Sequence, residues 1–282
     1  MKANYFIFLG VLYLSACGSD SSKENADSSV RDTVHASIEV PIHSHTMPSP
    51  LQVASIFKSS GMGFVEGVTS QQKDYSKYTS NTSKSLNMGV YTSDLAYCVM
   101  NQQTQEALSY MKLSRQLAGQ LGMASIFDSG SLHTRFEKNL GNEDSLTSIL
   151  ADLQMQTDIY LDEIEQQNTS LVIYSGAWIE SMYIGSEVFS KSKNKNIGSK
   201  ISEQMTILSN LINKFESVNS QDPVVIELVK DLKSVQEIYD NFDSVKKYIS
   251  DEGSLGVLKI NDSEVKELSK KIQEIRGRVI KG

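Results

Sequence analysis

Cysteine, proline, histidine and positive charge are all in short supply in this 282-residue chain, and each shortage excludes something. Two cysteines, Cys17 and Cys98, cannot form the multiply bridged framework by which small exported domains make up for a thin core. Four prolines, at 41, 48, 50 and 223, leave long stretches with no helix breaker. Lysine and arginine number 27 against 34 acidic residues, a net charge of −7, so the basic footprint that nucleic-acid binding requires is missing. The four histidines include no His-Glu-x-x-His pair, which removes the commonest zinc-hydrolase pattern. No apolar run approaches the roughly 20 residues that a spanning helix needs. The longest, Tyr5 to Leu14, is about half that length.

That short run is nevertheless informative. Lys2 gives a basic start, residues 5–14 are almost unbrokenly apolar, and Leu14-Ser15-Ala16 places small residues directly before Cys17. This is the length of a signal-peptide apolar region, and an ordinary secretory site would carry no cysteine. The segment resembles the lipobox of bacterial lipoproteins. The resemblance implies a signal peptide over residues 1–16, cleavage before Cys17, a diacylglyceryl thioether on its sulfur and an amide-linked acyl chain such as palmitate on the new amino terminus. Two or three long chains make a stable anchor where one holds only marginally. The implied place is the bacterial cell envelope, at the outer membrane, with the periplasmic and surface faces both open.

From residue 17 to 48 the composition is mostly Ser, Asp, Asn, Lys and Glu, too polar to offset the entropy of ordering. It reads as a lipidated flexible tether, with a short extended piece at Ser37 to Ile42. The remainder, 49–282, is rich in helix formers and reads as one all-helical domain. Ser49-Pro50 opens a first helix that closes before Gly61, by the rule that a capping serine precedes proline at the first helical position. Apolar stripes at helical spacing follow: Leu86 to Cys98, Leu108 to Leu121 closed by Gly122, Leu132 to Leu140 closed by Gly141, Leu146 to Ile164, Leu171 to Val188, and Ile201 to Phe215. Asp222-Pro223 restarts the pattern, which continues to about Ile249, and a last helix runs from Asp262 through Ile275. Gly253 to Ile260 reads as a turn with a short extended segment. Short links between helices force antiparallel neighbours, so the expected fold is all-α, a single domain of packed antiparallel hairpins, with an irregular helical-repeat array as the alternative.

Two segments echo one another. Gly89-Val90-Tyr91 is followed by Asp94 and Tyr97, and Gly176-Ala177-Trp178 by Glu180 and Tyr183. The runs Met88 to Tyr97 and Gly176 to Ile184, together with the lipobox and the polar tether, make the chain similar to helical lipoproteins of Bacteroidota that carry no assigned activity. That resemblance implies an envelope location and adds no chemistry. Acids within a turn of aromatic rings on otherwise apolar helices can line a ligand cleft, because a carboxylate facing a core needs partners. Tyr91, Asp94, Tyr97, Trp178, Glu180 and Tyr183 are therefore the candidate cleft, and a hydrogen-bonded packing layer is the competing reading.

Other features have simpler readings. His35, His43 and His45 lie in the tether without a second shell that would orient them on a metal. His133 stands alone on its helix, and Gly61, Gly63 and Gly67 follow a helix and miss the dinucleotide spacing. Cys98 sits among Leu95, Tyr97 and Val99 as a small buried hydrophobe. Lys191, Lys193, Lys195 and Lys200 suit the negative end of a helix dipole and can also approach anionic head groups. No cofactor, metal or catalytic residue is indicated. The expected function is a lipid-anchored binding or scaffold module, its partners the membrane through the anchor and a protein of the envelope. The alternative is an envelope hydrolase or small-ligand-capturing protein working around Asp94 and Glu180.

Overall fold

Capping chemistry sets the helix boundaries. The computed structural model describes residues 47–71, 74–128, 131–250 and 258–282. The signal segment and nearly all of the tether, including Ser37 to Ile42 and three of the four histidines, lie outside them, as does most of Gly253 to Ile260. Ser49 accepts from the Gln52 backbone N–H while the Gln52 side chain accepts from the Ser49 N–H, the reciprocal box that starts α1 (Pro50–Ser59). Ser80 caps α2 (Asn81–Met100), and Asn142 caps α6 (Glu143–Glu163). Between these lie α3 (Thr104–Gln120), α4 (Ala124–Asp128) and α5 (Leu132–Lys138). Asn194 caps α8 (Lys195–Val218), which follows α7 (Gln167–Ser192). Asp222 with Pro223 starts α9 (Pro223–Asp240), α10 (Asp243–Ser250) follows, and an Asn261–Glu264 box opens α11 (Asp262–Val279). Gly122 and Gly141 follow α3 and α5 at φ of +81° and +88°, the left-handed conformation that closes a helix at no steric cost in glycine.

The described residues form an all-α domain of packed hairpins. Tyr91 meets Tyr110 across α2 and α3, and Gly198 faces the Phe189 ring across α7 and α8. In the third hairpin Ser202 meets Tyr239 and Glu216 meets Lys233, across α8 and α9. In each case partners pair in opposite chain directions, as short connections require. Two differences from the sequence reading concern breaks. The stripe from Pro223 to Ile249 is two helices, parted where the Asn241 side chain and backbone both turn back on Glu237 O and Phe242 buries its ring against Tyr239. The short α4 and a 3₁₀ turn at Tyr75–Lys77 are the other additions.

Two apolar cores flank the long pair α2 and α7. One, under α3 to α6, contains Tyr91, Tyr110, Phe127, Phe136 and Leu153. The other, under α8, α9 and α11, contains Trp178, Ile201, Leu208, Leu232 and Leu268. With a core on each side, α2 from Ser85 to Met100 and most of α7 have little exposed surface, and their polar residues lie inside the protein.

Candidate functional site

The paired segments of the sequence meet. A Cβ on Gly176 would lie 2.0 Å from Leu86 O, and one on Gly89 would lie 2.0 Å from Ile173 O and 2.7 Å from Ala177 N. One turn further on, Ser93 and Ser181 share a hydrogen bond of 2.8 Å. Residue numbers rise together along both helices, so α2 and α7 cross as parallel neighbours with their backbones in contact. Only glycine permits such an approach at the two crossing positions.

This contact brings two buried acids together. Asp94 and Glu180 have no exposed surface, and their carboxyl groups lie against one another. Arg276 reaches in from α11 and grips Glu180 with two parallel hydrogen bonds, Nε to Oε2 at 2.6 Å and Nη2 to Oε1 at 2.7 Å. Its guanidinium also stacks on the Tyr183 ring at 3.9 Å. Burial works against the charge of Arg276, but the attraction and hydrogen bonds of Glu180 outweigh it and raise its pKa further. Asp94 differs. Its Oδ2 accepts the Ser70 N–H at 3.0 Å, and its remaining polar neighbour is the Glu180 carboxyl, with which it shares a hydrogen bond. Burial first, and the neighbouring Glu180 charge second, push its pKa well above the usual carboxylate range. The site therefore favours the protonated form of Asp94 beside the Glu180–Arg276 contact.

Of the six residues in the candidate cleft, Asp94, Glu180 and Tyr183 converge. The other three face elsewhere. Tyr91 lies in a buried aromatic row between Tyr78 and Tyr110, with ring centroids 6.5 and 6.2 Å apart. The Tyr97 hydroxyl accepts from the Val65 N–H at 2.7 Å and donates to Gly63 O at 3.1 Å, so it pins the glycine-containing loop, and burial raises its pKa to about 12. Trp178 turns to α8, its Nε1 donating to Gln204 O at 3.4 Å. Arg276 is the group that the sequence reading missed. Its signal was a cation beside Ile275 and four residues after Ile272, in the stripe that α11 buries.

Elsewhere, Cys98 is fully buried and His133 pairs with Glu137 on its own helix at 3.3 Å. Among the described residues no group of three or more His, Cys, Asp or Glu side chains could hold a metal ion. Cavities of about 30 Å³ beside Pro50, Leu95 and Ile173 and about 10 Å³ beside Cys98 have room for little more than water, and neither is lined by the acid pair.

The neutral acid yields a prediction. A carboxyl whose pKa is raised by folding holds a proton that the unfolded chain releases, so between the ordinary range near 4 and its raised value stability falls as pH rises. Asparagine at 94 keeps an acceptor for Ser70 and has no proton to release. Asp94→Asn is expected to be at least as stable as the parent at pH 8 and to lose that advantage by pH 4, as read from urea midpoints at each pH. A difference between the two proteins that does not change with pH would contradict a neutral Asp94. No family model matches the chain, and no curated protein or solved structure shows significant similarity to it.

Proposed function

We propose that the protein is a lipid-anchored module of the bacterial cell envelope, held at the outer membrane through acyl chains on Cys17, whose helical body binds or scaffolds another envelope component. The observation that carries this reading is the segment from Lys2 to Cys17, with its basic start, apolar middle and Leu-Ser-Ala-Cys end. No described helix is long and apolar enough to cross a membrane, and the anchor requires none. The body supports a role in binding more than in catalysis, because its buried acidic cluster is sealed and internally compensated. Arg276 matches Glu180, and burial favours the protonated form of Asp94. A substrate could reach those carboxyls only by displacing α11 or the loop at Ser70.

The alternative, an envelope hydrolase or ligand-capturing protein, draws its support from the convergence of Asp94 and Glu180 at the crossing. It requires that crossing to open.

The test is mass spectrometry of the amino terminus of protein extracted from membranes. The wild type is expected to begin at Cys17 with acyl chains attached. Cys17→Ala is expected to keep residues 1–16 and to carry no acyl groups. A Cys17→Ala product processed and membrane-bound like the parent would overturn the anchor.

A further inference from the structure

We infer that the end of the domain where α1 and α7 finish and α8 begins docks on an anionic lipid surface; this rests on the proposed membrane anchor and gives the tethered body an orientation. The chain is acidic overall, yet residues 188–202 contain four lysines and no acid. Lys200 pairs with Glu203 at 2.8 Å, which leaves Lys191, Lys193 and Lys195 exposed around the α7–α8 junction. The fold adds what the sequence does not show. Asn194, at the centre of the junction, donates to Ser60 O at 2.9 Å and thereby joins it to the end of α1. That brings in Lys58, whose Nζ donates to Asn101 just beyond α2. The loop that leaves Ser60 carries Phe64, a large apolar ring that remains 38% exposed.

Phe64 is held in place. Its ring stacks on Tyr97 at 5.8 Å, and the Tyr97 hydroxyl ties the backbone on either side of it. A fixed aromatic ring on the loop that leaves Ser60, where Asn194 joins the lysine-bearing junction, combines the two elements of interfacial recognition, an apolar group for the head-group boundary and cations for anionic lipid. In sequence, Glu66 and Glu187 are the acids flanking these segments, and Lys58, Lys191, Lys193 and Lys195 outnumber them. Each lysine close to an anionic surface strengthens partitioning about fivefold, which is weak for a free protein. For a tethered one it suffices, because an anchor about thirty residues from Met47 keeps the patch within about 100 Å of the bilayer at millimolar-scale effective concentration.

The experiment uses the protein as cells process it, reconstituted in vesicles that carry a nitroxide head-group quencher. Phe64→Trp places a reporter at the patch, while Trp178, buried against Gln204 O, gives a constant background. In vesicles containing phosphatidylglycerol, emission from position 64 is expected to be quenched about twofold or more, with loss of the effect at high salt or in pure phosphatidylcholine. Replacing Lys191, Lys193 and Lys195 together by glutamine should abolish it. Equal quenching in both lipids, or quenching unchanged by the triple substitution, would overturn the docking surface. Absence of acyl groups at the amino terminus would instead mark failure of the anchor.

Discussion

Gly176→Ala is expected to destabilise the protein by about 3 kcal/mol or more, a large fraction of the stability of a domain this size. Helix propensity alone predicts the reverse, since alanine is better than glycine by about 1 kcal/mol inside a helix. Sterics decide the sign. The added methyl would lie 2.0 Å from Leu86 O and 2.8 Å from its carbonyl carbon, and both belong to backbone that no rotamer change can move. α2 and α7 would have to part by an ångström or more, which would break the Ser93–Ser181 hydrogen bond and loosen the acids beyond it. Gly89→Ala should behave alike, because its methyl would meet the backbone of Ile173 and Ala177. Gly119 and Gly277 supply the control. Each lies within a helix with nothing close to where a Cβ would stand, so alanine there should be neutral or stabilising by up to about 1 kcal/mol. Urea unfolding followed by far-UV circular dichroism separates the two cases, and a Gly176→Ala midpoint like that of Gly119→Ala would mean that the helices do not touch.

The same contact marks the limit of what the sequence could tell. Helices and hairpins were legible because they depend on local signals: caps at Ser49 and Asp222, glycines at 122 and 141, and the spacing of Leu146, Ile149 and Leu153. The break at Asn241 was not, because the apolar period runs straight through it. The echo of Gly89 and Gly176 could be seen as a pattern, but nothing local says that two segments nearly ninety residues apart share one crossing. Asp94 and Glu180 drew attention as acids on apolar helices, because a buried carboxyl needs partners. Which partners it has depends on α11, placed by tertiary packing from the far end of the chain. Tyr91, Tyr97 and Trp178 face three other ways because α2 and α7 each have a core on both sides, a circumstance that a single apolar stripe does not reveal.

Arg276→Met should have the second large effect, because it removes the cation that grips Glu180 at a site with two acids. Truncating one partner of a buried ion pair typically costs 3–5 kcal/mol, most of it from the charge left behind rather than the bond lost. Here that charge is on Glu180, which has no exposed surface and lies against Asp94. Glu180→Gln should be milder, since Arg276 retains the Tyr183 ring at 3.9 Å and its side chain is 10% exposed, enough to lean outwards to water. Arg276→Lys should fall short of the parent as well, because an ammonium cannot reproduce the two parallel hydrogen bonds. The decisive variant is the double one. Glu180→Leu with Arg276→Met replaces the pair by apolar groups of similar size and should recover most of the loss, as buried ion pairs elsewhere allow. Urea midpoints for the single and double variants measure all of this. If Arg276→Met unfolds at the parent's midpoint, no buried charge was left behind, and the Glu180–Arg276 pair is wrong. If the double variant is no better than the single, the cluster contributes specific geometry to the α2–α7–α11 junction that apolar packing cannot supply.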